Sequence, residues 1–418
     1  FTQATIGTVE DLKGFYNGSN LKLTWSYSQS ADKFKVYKKL STDNDFVFAS
    51  ETTNNQIIIQ VPESEYNSLE KVAVSVVYQS SEGEKVELIK ENILPFDGGT
   101  GTEQDPYVIS TAWQLQILKN NPWRTGNYSY KLANDIDLAG LQWNPIGQYS
   151  SDNSLSFKGK FDGNGKKILN LSINNETSSN IGLFGYITNA VVSNLIIENA
   201  FVVGKTYVGA LSGGSKDSQV TNVAVINSYV EAKDTASSNY AGGLIGDINI
   251  GNSVSKSFVI NTKVKGAKDR IGGFAGRIYG TSTSPTNISN CYVKAIDTTN
   301  YQVEGAAGST INAGGFVGYY NIASGAGGVT NCYSAIKVVN GGGFAGNAAS
   351  SGKSGASSVY YDQDVAGTTT DALGLSYGVT PKTTTEMKQR STYQGWDFDN
   401  VWNINDGNDY PYLRWFGN

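Results

Sequence analysis

Ile271-Gly272-Gly273-Phe274-Ala275-Gly276 is the stretch on which the reading of this 418-residue chain turns. Its pattern is a β-branched or small residue, a glycine, a small residue, Phe or Leu, any residue, and a closing glycine. The pattern returns as Val208-Gly209-Ala210-Leu211-Ser212-Gly213, Ala241-Gly242-Gly243-Leu244-Ile245-Gly246, Ala313-Gly314-Gly315-Phe316-Val317-Gly318 and Gly341-Gly342-Gly343-Phe344-Ala345-Gly346. A first copy, Ile181-Gly182-Leu183-Phe184-Gly185, is one residue shorter. The closing glycines stand 28, 33, 30, 42 and 28 residues apart, the spacing of one supersecondary unit per repeat.

Between the copies runs a second signature: Val192-Ser193-Asn194, Val220-Thr221-Asn222, Val254-Ser255-Lys256, Ile288-Ser289-Asn290 and Val329-Thr330-Asn331. Each leads into an alternating strand. Short strands without helical periodicity, repeated every ~30 residues, predict a coil whose turns stack as parallel strands. The expected handedness is right-handed, from the chirality of parallel crossovers. The Phe or Leu of each copy is expected to point inward and stack on its counterpart, with the glycines allowing bends and close backbone approach. Asn tolerates the left-handed region, so the shared Asn positions predict a corner ladder. Cys291 and Cys332 follow that corner in adjacent repeats and are expected as an inward ladder of free thiols about one strand spacing apart, wider than a disulfide prefers.

Outside the repeats, Leu21, Leu23 and Trp25 alternate with Lys22 and Thr24, and Val72, Val74 and Val76 alternate up to Tyr78. This period-two pattern predicts a separate β-sandwich over residues 1–94. The early tryptophan, the Val36-Tyr37 strand and the final hairpin resemble a fibronectin type III or Ig-like module, which implies a spacer or docking platform. Asn92 to Gly101, with its Pro, Gly and polar residues, supplies the boundary.

The repeat is similar to the GLUG motif of bacterial surface proteins. Asp97 to Ile109, Asp135-Ile136-Asp137-Leu138, Trp143 to Gly147 and Phe157 to Gly165 resemble the segment that precedes such arrays, and Tyr360-Tyr361-Asp362, Thr383 to Lys388 and Trp396 to Trp415 resemble the segment that follows them. The resemblance covers residues 97–418 and implies a mainly β fold: an N-terminal β-sandwich, then a parallel β-solenoid (β-helix) with short capping helices. Its parts are a leading cap region 97–179, repeats 180–350 and a C-terminal cap 351–418. It implies an exported protein at a bacterial cell surface, adhesin-like, in the manner of Bacteroides proteins. Helices opening at Thr111-Ala112-Trp113-Gln114 and Thr383-Thr384-Thr385-Glu386 carry capping-box patterns, and Trp396, Trp402 and Trp415 are expected over the last rung.

Composition narrows the chemistry. The chain has no histidine, which removes Ser/His/Asp and Cys/His nucleophile systems, histidine zinc sites and the HExxH of metallopeptidases. A net charge of −5 leaves no footprint for nucleic acid. No apolar stretch is long enough to span a bilayer. The opening at Phe1 is expected to be that of a mature or trimmed chain, its anchor to the outer membrane lying outside it on a removed lipoprotein signal.

The acid pairs Asp135/Asp137, Asp397/Asp399 and Asp406/Asp409 could in principle serve glycoside hydrolysis, but they alternate with apolar residues or sit in turns, so no catalytic residue, metal ligand or cofactor is expected. One structural calcium at a leading loop is the exception admitted. The residues after each closing glycine, Tyr186, Gly214, Asp247, Arg277, Tyr319 and Asn347, share no chemistry and mark an exposed edge. Asp247 and Arg277 would pair there as a surface contact worth little. Variable loops on one face of a solenoid are where binding is placed, which makes Tyr279, Tyr319 and Tyr320 the candidate contact residues. The expected partner is an extracellular glycan or a host or matrix protein. The alternatives are a passive stalk and a polysaccharide-cleaving β-helix enzyme.

Overall fold

The computed structural model describes residues 6–306 and 313–416. The chain divides into two compact units, Phe1–Ile117 and Leu118–Asn418.

In the first unit, β1 (Glu10–Tyr16), β2 (Asn20–Ser26), β5 (Gln56–Gln60) and β9 (Ile93–Leu94) form one sheet in the order β5-β2-β1-β9. The second sheet runs β4 (Val47–Thr52), β3 (Lys33–Leu40), β6 (Leu69–Tyr78), β7 (Ser81–Glu82), with β8 (Val86–Ile89) also on β6. The alternation read in the sequence gives each sheet an apolar face, and Leu21, Leu23, Trp25, Phe34, Val36, Val72, Val74 and Val76 make one buried core. The unit extends past the expected boundary at residue 94. The helix Ala112–Ile117 has its capping contacts, with the Gln114 N–H donating to Thr111 Oγ1 at 3.2 Å and the Thr111 N–H to Gln114 Oε1 at 3.2 Å. Instead of belonging to the solenoid it counts with the sandwich: Trp113 lies edge-on to Tyr16 at 5.3 Å and its indole N–H donates to Glu63.

Glu82 accepts from Lys35 Nζ at 2.7 Å, the Ser75 hydroxyl at 2.6 Å and the Tyr37 hydroxyl at 2.5 Å. Burial pushes its carboxyl up, but Lys35, Ser75 and Tyr37 together hold it down at about 2 against an ordinary 4.5. A depressed carboxyl stabilises the fold above its unfolded pKa and loses that contribution as pH falls through the folded value. Thermal melts of the intact chain are therefore expected to show the first unit weakening between pH 4.5 and about 2, and Glu82→Gln should flatten that dependence.

In the second unit the repeats stack as parallel strands. The motif turns a corner: Ile271–Gly272 lies in one five-stranded sheet and Ala275–Gly280 in the next, six-stranded one. That second sheet contains β10 (Phe184–Thr188), β11 (Ser212–Lys216), β12 (Ile245–Ile248), β13 (Ala275–Gly280), β14 (Val317–Ile322) and β15 (Ala345–Lys353), in that order. A Cβ on Gly272 would meet the Ala275 carbonyl oxygen at 2.0 Å, which is why glycine stands at the bend. Phe274, Phe316 and Phe344 are fully buried and stack in register, at 4.6 Å and 10° for the first pair and 4.7 Å and 8° for the second.

The corner after each Val-Ser/Thr is left-handed, with φ of 53° at Asn194, 56° at Asn222, 49° at Lys256, 55° at Asn290 and 52° at Asn331. Asn222 Nδ2 donates to Asn194 Oδ1, and Asn194 Nδ2 to Asp162, each at 2.9 Å. Lys256 has no amide to continue the row, and Asn222 Oδ1 is left without a partner on that side. A second such row, Asn170, Asn199, Asn227 and Asn261, also has positive φ. Cys291 and Cys332 are free and buried. Both thiols donate to the carbonyl two residues back, at 3.2 Å, and Cys332 Sγ accepts the Cys291 N–H at 3.4 Å. Ser257 does the same one repeat earlier, donating to the Ser255 carbonyl and accepting the Val223 N–H, so the cysteines take a serine's place in the corner.

The C-terminal segment departs from expectation. The capping box at Thr383 is present, but Trp396, Trp402 and Trp415 do not lie over the last rung. They lie against side chains of the long sheet, Trp396 by Tyr333 and Tyr360, Trp402 by Tyr292 and Tyr333, and Trp415 by Phe258, in one apolar cluster with Ile196 and Ala224. The Trp402 indole donates to Asn290 Oδ1 at 3.1 Å and that of Trp415 to the Lys256 carbonyl at 2.8 Å. Phe258, Tyr292 and Tyr333 stack outward at 4.8 and 5.1 Å, an apolar stripe that water would otherwise meet. The last rung is closed instead by Asp371, whose carboxylate accepts the N–H groups of Phe344 and Ala345, both at 2.7 Å.

Candidate functional site

The residues that follow the closing glycines point outward from β10–β14, in the register Tyr186↔Gly214↔Asp247↔Arg277↔Tyr319. The residues that precede the motif, Tyr207 and Tyr240, stand beside them, their rings stacked at 4.4 Å and 10°. The loop residue Tyr149 meets Tyr186 edge-on at 5.2 Å, and a cleft of about 230 Å³ is bounded by Tyr149, Asn180, Tyr186, Tyr207, Asp247, Asn249 and Arg277.

At its floor the Asp247–Arg277 contact is not the exposed pair expected. Arg277 Nε donates to Asp247 Oδ1 at 2.7 Å and Nη2 to Oδ2 at 2.8 Å, and the carboxylate side chain is only 5% exposed. The reason is the surrounding rings: Tyr240 lies under the Arg277 guanidinium at 5.1 Å and Tyr279 at 5.3 Å. Burial raises the Asp247 carboxyl while Arg277 opposes it. Burial also works against the Arg277 charge, but Asp247 outweighs it and drives the guanidinium above its ordinary value. The Tyr207 hydroxyl is pushed up to about 12, first by burial and then by Tyr240 and Asp247. The Arg277 guanidinium and the Tyr207 hydroxyl keep their protons near neutral pH, so the cleft offers hydrogen-bond donors and ring faces.

Arg270 extends the cluster, its guanidinium over Tyr240 at 4.8 Å and over Tyr319 at 4.7 Å, with a hydrogen bond to the Tyr240 hydroxyl. Of the three candidates from sequence, Tyr279 and Tyr319 are half-buried on this face against the two arginines. Tyr320 points the other way: it is fully buried, in register with Ile278, and donates to the Ser354 carbonyl at 2.6 Å. Of the tyrosines that line the cleft, sequence reasoning placed Tyr186 only on the edge and passed over Tyr149 and Tyr207, as it did the neighbouring Tyr240. Tyr207 and Tyr240 did carry a signal, the recurrence of Tyr immediately before Val208-Gly209 and Ala241-Gly242.

Five of the six paired carboxylates, all but Asp399, are engaged structurally. Asp135 accepts the Lys167 N–H, Asp137 accepts Asn170 Nδ2 and the Ala139 N–H, and Asp397 the N–H groups of Asp399 and Asn400. Asp406 accepts the Arg390 N–H and Asp409 pairs with Lys294. Among the described residues no group of three or more Cys, Asp or Glu could hold a metal ion. A second hollow of about 480 Å³ lies in the C-terminal cap around Tyr360, Lys382 and Glu386, but Glu386 accepts from Lys382 Nζ and from the N–H and hydroxyl of Thr383 in the capping box.

No family profile matches the chain. It is similar to a protein of Evansella cellulosilytica named as a Gly-rich membrane protein, 29% identical over 406 residues, covering 76% of this chain and 45% of that one. It is also similar to Halomucin of Haloquadratum walsbyi, 34% identical over 127 residues, covering 29% of this chain and 1% of that protein. The chain thus spans less than half the length of these curated relatives. A solved structure of a Bacteroides ovatus protein named as an immunoglobulin A1 protease overlays 77% of this chain and 95% of its own, with 19% identity and a TM-score of 0.46. No helix among the described residues is long and apolar enough to cross a membrane.

Proposed function

We propose that this chain is a non-catalytic, adhesin-like binding protein exported to a bacterial cell surface, with the tyrosine-lined cleft of the solenoid as its contact face. The observation that carries this reading is the cleft itself: Tyr149, Tyr186 and Tyr207 around an arginine held by a buried carboxylate. Rigid aromatic and arginine groups in one recess are what binding sites concentrate. The relative named as a Gly-rich membrane protein and the GLUG-like repeat support the surface location. In the first unit, the strand orders β5-β2-β1 and β4-β3-β6 suit a fibronectin type III-like module acting as a spacer. The partner in this reading is an extracellular glycan or a host or matrix protein, and no cofactor is required.

The test is to present the intact chain to an array of glycans and extracellular-matrix proteins and to analyse the glycans afterwards for cleavage. Saturable binding without cleavage is expected. Shortened glycans would overturn the reading in favour of a polysaccharide-cleaving enzyme, and binding to nothing would overturn it in favour of a passive stalk.

A further inference from the structure

We infer that the cleft takes one neutral, hydroxyl-rich sugar ring, an inference that rests on the proposal that this face is the contact surface. Its volume of about 230 Å³ is below the roughly 300–1,000 Å³ of a drug-sized ligand site, so a single ring fits and a longer stretch must lie outside.

The charge in the recess cancels. Arg277 gives Nε and Nη2 to Asp247, and two opposite charges at this distance leave little net field for an anion. Arg270, at the far side of Tyr240, has Asp269 at 3.7 Å. What Arg277 still offers is Nη1, which makes no hydrogen bond among the described residues. Its direction is fixed because the bidentate contact locks the plane of the guanidinium. Asn249 stands beside the Tyr186 hydroxyl, adding an amide and a phenol to the polar inventory.

Around these polar groups stand tyrosine rings. Tyr149 is 55% exposed at the rim and Tyr207 is half-buried, so both keep part of their surface open to a ligand. A pyranose has one face of C–H groups and a rim of hydroxyls. The rings accept the first and the arginine, amide and phenols the second. A carboxylate or sulfate would instead need unpaired positive charge, which this recess lacks.

The experiment titrates the intact chain with methyl glycosides of neutral hexoses and N-acetylhexosamines, with glucuronate and sialic acid, and with the matrix-protein panel. It repeats each in Tyr149→Ala and in Phe201→Ala. Tyr149 is a rim residue whose loss should leave the melting temperature unchanged. Phe201, 44% exposed and stacked on its register partner Tyr229 in a sheet other than the one that carries the cleft, is the control platform. Neutral glycosides are expected to bind, to lose about tenfold in affinity in Tyr149→Ala, and to be unaffected by Phe201→Ala. Binding of only anionic sugars or only proteins, lost in Tyr149→Ala, would overturn the neutral-ring inference and leave the contact face standing. Binding lost in Phe201→Ala and kept in Tyr149→Ala, or no binding at all, would overturn both.

Discussion

Phe316→Ala is expected to destabilise the solenoid by about 3–5 kcal/mol, the range for truncating a fully buried phenylalanine. Phe316 is the middle member of the stack, with Phe274 at 4.6 Å on one side and Phe344 at 4.7 Å on the other. Its removal therefore loses two ring contacts as well as leaving a cavity between rungs. Glycines crowd this corner, with a Cβ on Gly315 placed 2.2 Å from the Gly343 carbonyl oxygen, so the backbone has little room to collapse inward. The check is chemical denaturation of the intact chain, in which the solenoid transition should move to lower denaturant while that of the first unit stays in place. Phe316→Leu should recover much of the loss, because Leu211 and Leu244 fill the matching position in other repeats.

Asp247→Ala is expected to cost a comparable amount, about 3–5 kcal/mol, because it leaves the Arg277 charge with no partner in a largely buried setting. The effect belongs to the orphaned guanidinium more than to the lost pair. Replacing both residues together, Asp247→Leu with Arg277→Met, should recover most of the stability. Denaturation of the two variants measures this: a double variant as unstable as the single one would mean that the pair itself, and not the unpaired charge, sets the energy. The double variant should nonetheless lose ligand binding, since Arg277 Nη1 is gone.

The parts of the fold legible in the sequence are those fixed by residue type at a repeated position. Glycine at the bends, phenylalanine within them, asparagine at left-handed corners and the free Cys291/Cys332 ladder each follow from local sterics applied once per repeat. Tyr320 could have been placed correctly by the same alternation. Asp247-Ile248, Arg277-Ile278 and Tyr319-Tyr320 each put one residue out and the next one in, and the second tyrosine only looked like the first. The buried state of Asp247 was not legible, because the rings grouped around the Asp247–Arg277 pair include Tyr186, Tyr207 and Tyr240 from other turns of the coil as well as the nearby Tyr279. The position of the C-terminal segment was hidden for a similar reason. The Trp415 indole finds the Lys256 carbonyl 159 residues away, and nothing in a window around Trp415 specifies which face of the stack it will cover.

Hydroxyl-radical footprinting of the intact chain, with and without the ligand that the array returns, tests the account most directly because it reads the solvent access of individual tyrosines. Protection of Tyr149 and Tyr207, with Phe201 and Tyr229 unchanged, is the predicted result. Protection at Phe201 and Tyr229, or in the first unit, with Tyr149 still fully reactive, would contradict the assignment of the contact face.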